Sequence, residues 1–319
     1  MRSALLVCLA LGSSACERQP SPSRPATSAP GTATAHAPPA AHEGTSAPLA
    51  TAGPLPPAPA PPALSAKVHL PRHLAPGQRV PLLLLLHSLG TSSQDIEART
   101  DWARFAERQG VAWIAPDGPL DSLGRRFWDA GKSCCNFNGP PIDHVAALRS
   151  LLEDTIAKNP IDRDRVFVGG ISNGGFMAHR LACEASDLVR GVVSISGAGP
   201  LEPLECREPS SLRVLEIHGD ADPMVAYGGG RLLGDPRLPE HASVQKTMTD
   251  WAARLGCQSD ATEGDRIDLE KRYPGAETKV SRYERCQRGS LELWTVTSGN
   301  HYLAFYDPAP ELIWQFLTR

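Results

Sequence analysis

From Lys67 onward, short continuous apolar runs alternate with stretches of helical periodicity, and this alternation restricts the fold more than any other feature. "VPLLLLLHS" (80–88) has strand length and no polar residue before His87, as a strand buried on both faces requires. "VAWIAPDG", "RVFVGG", "GVVSISG", "RVLEIHGD" and "LELWTVTSG" read as further strands. Helical stretches lie between and after them. "DIEARTDWARFAERQG" (95–110) places Ile96, Trp102, Phe105 and Ala106 on a single helix that Gly110 stops. "DHVAALRSLLEDTIAKNP" carries an apolar stripe of Val145, Leu148, Leu151, Leu152 and Ile156 and ends at Pro160. "GGFMAHRLACEA", "ASVQKTMTDWAARLG" and "ELIWQFLTR" complete the set. Strand, helix, strand in this order predicts an α/β domain with a doubly wound, mostly parallel sheet and helices on both faces. Additional short strands are expected before Val80, one of them around "LSAKVHL".

The first 66 residues lie outside this pattern. "MRSALLVCLALGSSAC" (1–16) has a basic start, a short apolar core and small residues before Cys16, which reads as an export signal with a lipoprotein-like processing site. Ser13 stands where such sites usually carry Leu. Residues 17–66 are almost entirely Pro, Ala, Ser, Thr and Gly, too poor in large apolar groups to offset the entropy of ordering. A proline-stiffened tether of about 50 residues, at about 3 Å each, reaches at most ~150 Å. The folded domain is therefore placed at 67–319, in a periplasmic or cell-surface lipoprotein or, without lipidation, an extracellular protein. No apolar run is long enough to span a membrane, so a lipid on Cys16 is the one expected membrane attachment. With 32 basic against 35 acidic residues, the chain has no cationic excess for nucleic acid.

Six cysteines follow the leader, and an exported chain is expected to pair them. Cys257 and Cys286 lie apart from the rest and are expected to bond to each other. Cys134, Cys135, Cys183 and Cys206 allow three connectivities. The adjacent Cys134 and Cys135 are expected to reach separate partners, because bridging neighbours strains the peptide between them. No spacing resembles a metal site.

In open parallel sheets, reactive groups gather at the carboxyl ends of the strands. Four polar features do so here: "HSLG" at 87–90, Ser172 in "GGISNGG", "HGDADPMV" at 218–225, and His301 after the last strand. Their order, oxyanion loop then Ser, Asp, His, is that of a hydrolase triad on such a sheet. Ser172 sits on the strand–turn–helix that a nucleophile elbow requires. His301 is the expected base in preference to His87, His144, His179, His218 and His241. Asp222 is preferred to Asp220 as the acid. The N–H groups of Asn173 and Leu89 are the expected oxyanion donors, a role in which side-chain identity is immaterial.

At these residues the chain resembles a known family. "GGISNGGFMAHRLACE", "FWDAGKSCC", "HGDADPMVAYGGG", "WAARLGC" and "SGNHYLAF" are similar to segments of the polyhydroxybutyrate-depolymerase-like and feruloyl-esterase-like exported α/β-hydrolases. The resemblance implies the α/β-hydrolase fold and carboxylic-ester hydrolysis by Ser172, Asp222 and His301. It implies neither metal nor organic cofactor, and it supports the Cys257–Cys286 pairing. The chain departs from the family pattern at Ser88, at Asp129 and at Tyr302-Leu303-Ala304. Ser88, Trp128, Asp129 and Tyr302 are accordingly the candidate pocket residues, with packing or turn capping the alternative for Trp128 and Asp129. The expected partner is an ester substrate: a short polyester, a feruloyl or acetyl ester on plant polysaccharide, or a small ester. The enzyme is expected to work as a monomer. A peptidase and a non-catalytic binding module are the rival readings on the same scaffold.

Overall fold

The computed structural model describes residues 60–99, 101–202, 206–209 and 211–319. The leader, Cys16 and the tether up to residue 59 lie outside the described residues. In chain order the first elements are β1 (Val80–Leu86), α1 (Ser93–Arg99), α2 (Trp102–Gln109), β2 (Ala112–Ile114), α3 (His144–Lys158), β3 (Ile161–Ile171), α4 (Asn173–Glu184) and β4 (Gly191–Ile195). Then come β5 (Leu212–Gly219), the small ribbon of β6 (Gly230–Arg231) and β7 (Glu240–His241), and α5 (Val244–Leu255). The chain closes with β8 (Ala261–Glu263), β9 (Thr278–Tyr283), β10 (Gly289–Val296) and α6 (Ala309–Thr318).

Eight strands form one sheet in the order β2-β1-β3-β4-β5-β10-β9-β8. Pairing is parallel from β2 through β10 and antiparallel for β9 and β8 at one edge. Successive strand residues point to opposite faces, and both faces are apolar. On one face Leu82, Leu84, Leu86, Val168 and Val192 pack with α3, α4 and α5; on the other Leu83, Leu85, Phe167 and Val193 pack with α1, α2 and α6. The doubly wound, mostly parallel sheet expected from the sequence is thus present. Leu64 and Ala66 already pack against the first of these cores.

Four local expectations are corrected. The stretch 95–110 forms two helices rather than one. Ile96 and Trp102 are six residues apart, which on one continuous helix puts them on different faces. The break between α1 and α2 lets both side chains enter the same core. Before Val80 the described residues hold no strand, only a single bridge between His69 and Trp113, and Pro71 beyond it cannot extend a ladder. The edge strands β8 and β9 were not foreseen; β8 is exposed throughout and has no apolar run to betray it. Finally, Cys134 and Cys135 bond to each other across a cis peptide. Cys183 pairs with Cys206 and Cys257 with Cys286, so among the described residues no other cysteine is left for the adjacent pair.

Candidate active site

β3 ends at Ile171 and α4 begins at Asn173, so the whole reversal falls on Ser172. Its backbone takes φ 54° and ψ −117°, a conformation that side-chain-bearing residues rarely adopt. The turn is tight enough to exclude side chains on either side. A Cβ on Gly170 would collide with the Gly174 carbonyl, and one on Gly174 with the Leu86 carbonyl. The Ser172 N–H donates to the Ile195 carbonyl at 2.8 Å, which ties the turn to β4.

Two other strand-end loops converge on this turn. His301, beyond β10, places Nε2 at 3.0 Å from Ser172 Oγ and Nδ1 at 2.7 Å from Asp222 Oδ2. Asp222, beyond β5, is fixed in turn. Its Oδ1 accepts the N–H groups of Met224 and Val225 at 2.7 and 2.9 Å. Burial disfavours its charge, but hydrogen bonds from His218 and His301 outweigh this and hold the carboxyl well below the usual carboxylate range. Asp220 points elsewhere and accepts the Ser298 N–H at 2.6 Å, in the loop that leads to His301. The other histidines do not reach Ser172. His87 Nε2 accepts the Gly118 N–H, His144 Nδ1 the Asp129 N–H, and His241 Nδ1 donates to the Ala242 carbonyl.

The His301 loop is braced from positions that the sequence did not single out. The His301 carbonyl accepts the Ser196 hydroxyl at 3.0 Å. Arg272 donates to Asn300 Oδ1 and the Tyr302 carbonyl, on either side of His301. The fully buried Glu270 accepts from Arg272 Nε and the Ala304 N–H, each at 2.9 Å.

On the opposite side of Ser172, Ser88 Oγ donates to the Ile171 carbonyl at 3.2 Å and so ties the turn after β1 to the end of β3. The Asn173 N–H is the first of its helix and has no intrahelical acceptor. Among the described residues, neither it nor the Leu89 N–H donates to a backbone carbonyl. The Asn173 side chain, for which no role was expected, accepts the Trp128 N–H at 2.7 Å and donates to the Trp128 carbonyl at 2.8 Å. Trp128 Nε1 then donates to the His87 carbonyl at 3.1 Å. Asparagine is the side chain with an acceptor and a donor at this reach.

A cavity of about 970 Å³ opens over Ser172 and His301. Ser88 and Tyr302 line it, and so do Leu89 and the bonded Cys134 and Cys135. Trp128 and Asp129 do not. Trp128 is fully buried behind the loops. The Asp129 carboxylate turns into its own loop, accepting from Gly131 N–H, Asn136 Nδ2 and Ile142 N–H. For both, packing and turn capping replace the pocket role. The cavity mouth carries Leu123, Leu233 and Tyr302, which are 68%, 55% and 56% exposed.

Comparison with known proteins gives the same architecture. A phospholipase/carboxylesterase family model matches residues 142–237. A putative esterase of Nocardia uniformis subsp. tsuyamanensis is 32% identical over 162 residues, 49% of this chain and 46% of that protein. Feruloyl esterase D of Neurospora crassa is 27% identical over 262 residues, 79% of this chain and 80% of that protein. A poly(3-hydroxybutyrate) depolymerase of Ralstonia pickettii is 29% identical over 132 residues, 39% of this chain and 26% of that protein. The chain thus spans less than half the length of the Nocardia and Ralstonia relatives. The solved acetyl xylan esterase of Aspergillus awamori superposes with a TM-score of 0.55 at 16% identity, over 80% of this chain and 94% of that one. The chain thus has the α/β-hydrolase fold, and in sequence it is similar to feruloyl esterases and to a poly(3-hydroxybutyrate) depolymerase.

Proposed function

We propose that the chain is an exported serine esterase that cleaves carboxylic esters through an acyl-enzyme. The observation that carries this reading is the continuous line from Ser172 Oγ through His301 to Asp222, at 3.0 and 2.7 Å, at the floor of the cavity. A serine hydroxyl is a weak nucleophile until a base takes its proton. His301 Nε2 is in place to do so as Oγ attacks the ester carbonyl. Asp222 keeps Nδ1 protonated and stabilises the imidazolium that forms. The carbonyl oxygen turns toward the N–H groups of Asn173 and Leu89, which stabilise its charge. The imidazolium returns the proton to the leaving alcohol, and Ser172 is left acylated. Water, deprotonated by the same imidazole, then releases the acid and restores the serine.

The site needs neither metal nor organic cofactor for these steps. The apolar mouth supports an ester with a sizeable apolar acyl part, as in a short polyester. Feruloyl or acetyl esters on plant polysaccharide are the second reading, supported by the match to the Neurospora enzyme over most of both chains. Residues 67–319 form the catalytic domain in this reading. The leader at 1–16 exports it, and Cys16 carries the lipid from which the Pro- and Ala-rich stretch before Leu64 tethers it.

Hydrolysis of p-nitrophenyl acetate by the wild type and Ser172→Ala, with fluorophosphonate labelling of both, tests the proposal. Turnover and labelling are expected in the wild type alone. Equal activity in the two proteins would sink it.

A further inference from the structure

Behind Asp222 the hydrogen-bonded line continues inward. Glu216 and His218 are two apart on β5 and so project from the same face of the sheet, toward α4 and α5. Trp251 Nε1 donates to His179 Nδ1 at 3.0 Å. His179 Nε2 lies 3.0 Å from Glu216 Oε2, and Glu216 Oε1 lies 2.9 Å from His218 Nδ1. His218 Nε2 faces the Val225 carbonyl at 2.8 Å and Asp222 Oδ2 at 3.3 Å. His179, Glu216 and His218 are each 1% exposed or less.

The donors fix the protons along this line. An indole N–H only donates, so His179 Nδ1 must accept and its hydrogen must sit on Nε2. Glu216 Oε2 therefore accepts from His179, and the two histidine contacts keep Glu216 a carboxylate despite burial, so Oε1 also accepts, from His218. His218 faces acceptors on both ring nitrogens, and an imidazole satisfies two acceptors only as the doubly protonated cation. The result is a buried cation between two carboxylates.

We propose that Glu216 and His218 are positioning residues for the triad: His218, held as a cation by Glu216, fixes Asp222 as a carboxylate and offsets part of its charge. The inference rests on the esterase reading above. Burial opposes the His218 charge, but the hydrogen bonds it donates to Asp222 and Glu216 prevail and raise its pKa to about 9. The same contacts, with His179, hold Glu216 below its ordinary value against burial. Two further groups face His218. The Tyr227 ring meets it edge-on at 5.8 Å, with the phenol hydroxyl 2.7 Å from the Thr295 hydroxyl. His241 lies nearby and is held low by burial, so it adds no charge at neutral pH.

Glu216, His218 and Asp222 together carry one negative charge, which a protonated His301 neutralises. Without the His218 cation they carry two. In His218→Gln an amide donor remains next to Asp222 but the charge is gone. The protonated form of the base is then favoured, and the acid limb of the kcat/KM profile is expected to move up by about one pH unit. In the double variant Glu216→Gln/His218→Gln the cluster again carries one negative charge, and the limb is expected to return toward the wild-type position. A merely structural role lowers kcat without moving the limb. Nitrogen NMR of the wild type at pH 7 is expected to show both His218 nitrogens protonated and His179 as the Nε2–H tautomer. A neutral His218, or an unmoved limb in a variant that melts like the wild type, overturns the inference. If His218→Gln does not fold, the NMR measurement on the wild type decides it. Absence of ester turnover and fluorophosphonate labelling in the wild type would instead overturn the esterase reading, and the NMR result separates the two failures.

Discussion

The Asn173 side chain holds both backbone polar groups of Trp128, accepting one at 2.7 Å and donating to the other at 2.8 Å. Its amide suspends the loop whose indole in turn holds the His87 carbonyl, and the backbone N–H of Asn173 is an oxyanion donor of the proposed mechanism. Asn173→Ala leaves a buried N–H and a buried carbonyl without partners, at about 1–3 kcal/mol each. A stability loss of at least about 2 kcal/mol by urea unfolding is expected, with a fall in kcat for p-nitrophenyl esters. A loss under about 0.5 kcal/mol contradicts the strap.

Asp220 and Asp222 separate by what each receives. Asp222 Oδ2 meets His301, whereas Asp220 caps the Ser298 N–H. In Asp222→Asn the amide can donate toward Nδ1 and stabilise the wrong tautomer, a change that costs about 10⁴ in kcat in the serine protease triad. A loss of about 10³ or more is expected here. Asp220→Asn keeps an acceptor for Ser298 and is expected to stay within about fivefold of wild type. Similar losses in the two variants would remove the assignment of the acid.

The fold was legible because a strand buried on both faces cannot hide. "VPLLLLL" and "GVVSI" announce themselves by lacking polar positions. Ser172, Asp222 and His301 were proposed from the sequence because each follows a largely buried strand, in the order Ser, Asp, His. What could not be read depends on where separate segments meet. The amide of Asn173, the guanidinium of Arg272 and the His218–Glu216 pair have their roles set by partners 28 to 45 residues away or by sheet facing. The antiparallel strands β9 and β8 carry mixed polar residues because they lie toward the rim of the sheet, with β8 as its edge. Trp128 was misplaced for a related reason: a large aromatic in a site-proximal loop fits a pocket wall and a loop anchor equally well until its indole partner is known.

Stability should peak near pH 6.5, because two buried histidines titrate in opposite directions. Burial pushes His144 down to about 4, and its Nδ1 accepts the Asp129 N–H, which only the unprotonated nitrogen can do. Between about pH 6.5 and 4 the unfolded chain takes up a proton that the native state refuses, so stability falls on acidification, by up to about 1.4 kcal/mol per pH unit. His87, also lowered by burial, acts in the same direction. His218, raised to about 9, contributes stability that is fully present below about 6.5 and is lost as pH rises toward 9. Chemical unfolding from pH 4 to 9 measures both limbs. His144→Phe lowers stability at every pH by leaving the Asp129 N–H unpaired, but it is expected to flatten the acid limb alone. An unchanged acid slope would remove His144 as its source.

Five large apolar side chains are exposed among the described residues, and Leu123, Leu233 and Tyr302 of these line the cavity over Ser172. Leu233 is presented from a left-handed backbone at φ 57°, held by its N–H to the Met224 carbonyl at 2.8 Å. Leucines kept in water at a cavity mouth gain free energy only when a ligand covers them. Full burial of one leucine contributes about 1.5–3 kcal/mol, and a rim contact covers about half of that surface or less. For Leu123→Ser/Leu233→Ser, kcat/KM for p-nitrophenyl hexanoate should fall about tenfold, equivalent to ~1.4 kcal/mol. The acetate ester is too short to reach the rim and should change less than about twofold. The hexanoate-to-acetate ratio is the quantity to measure, because a general loss of catalysis or folding cancels from it. A ratio unchanged within twofold would mean that the acyl chain leaves the site by another route.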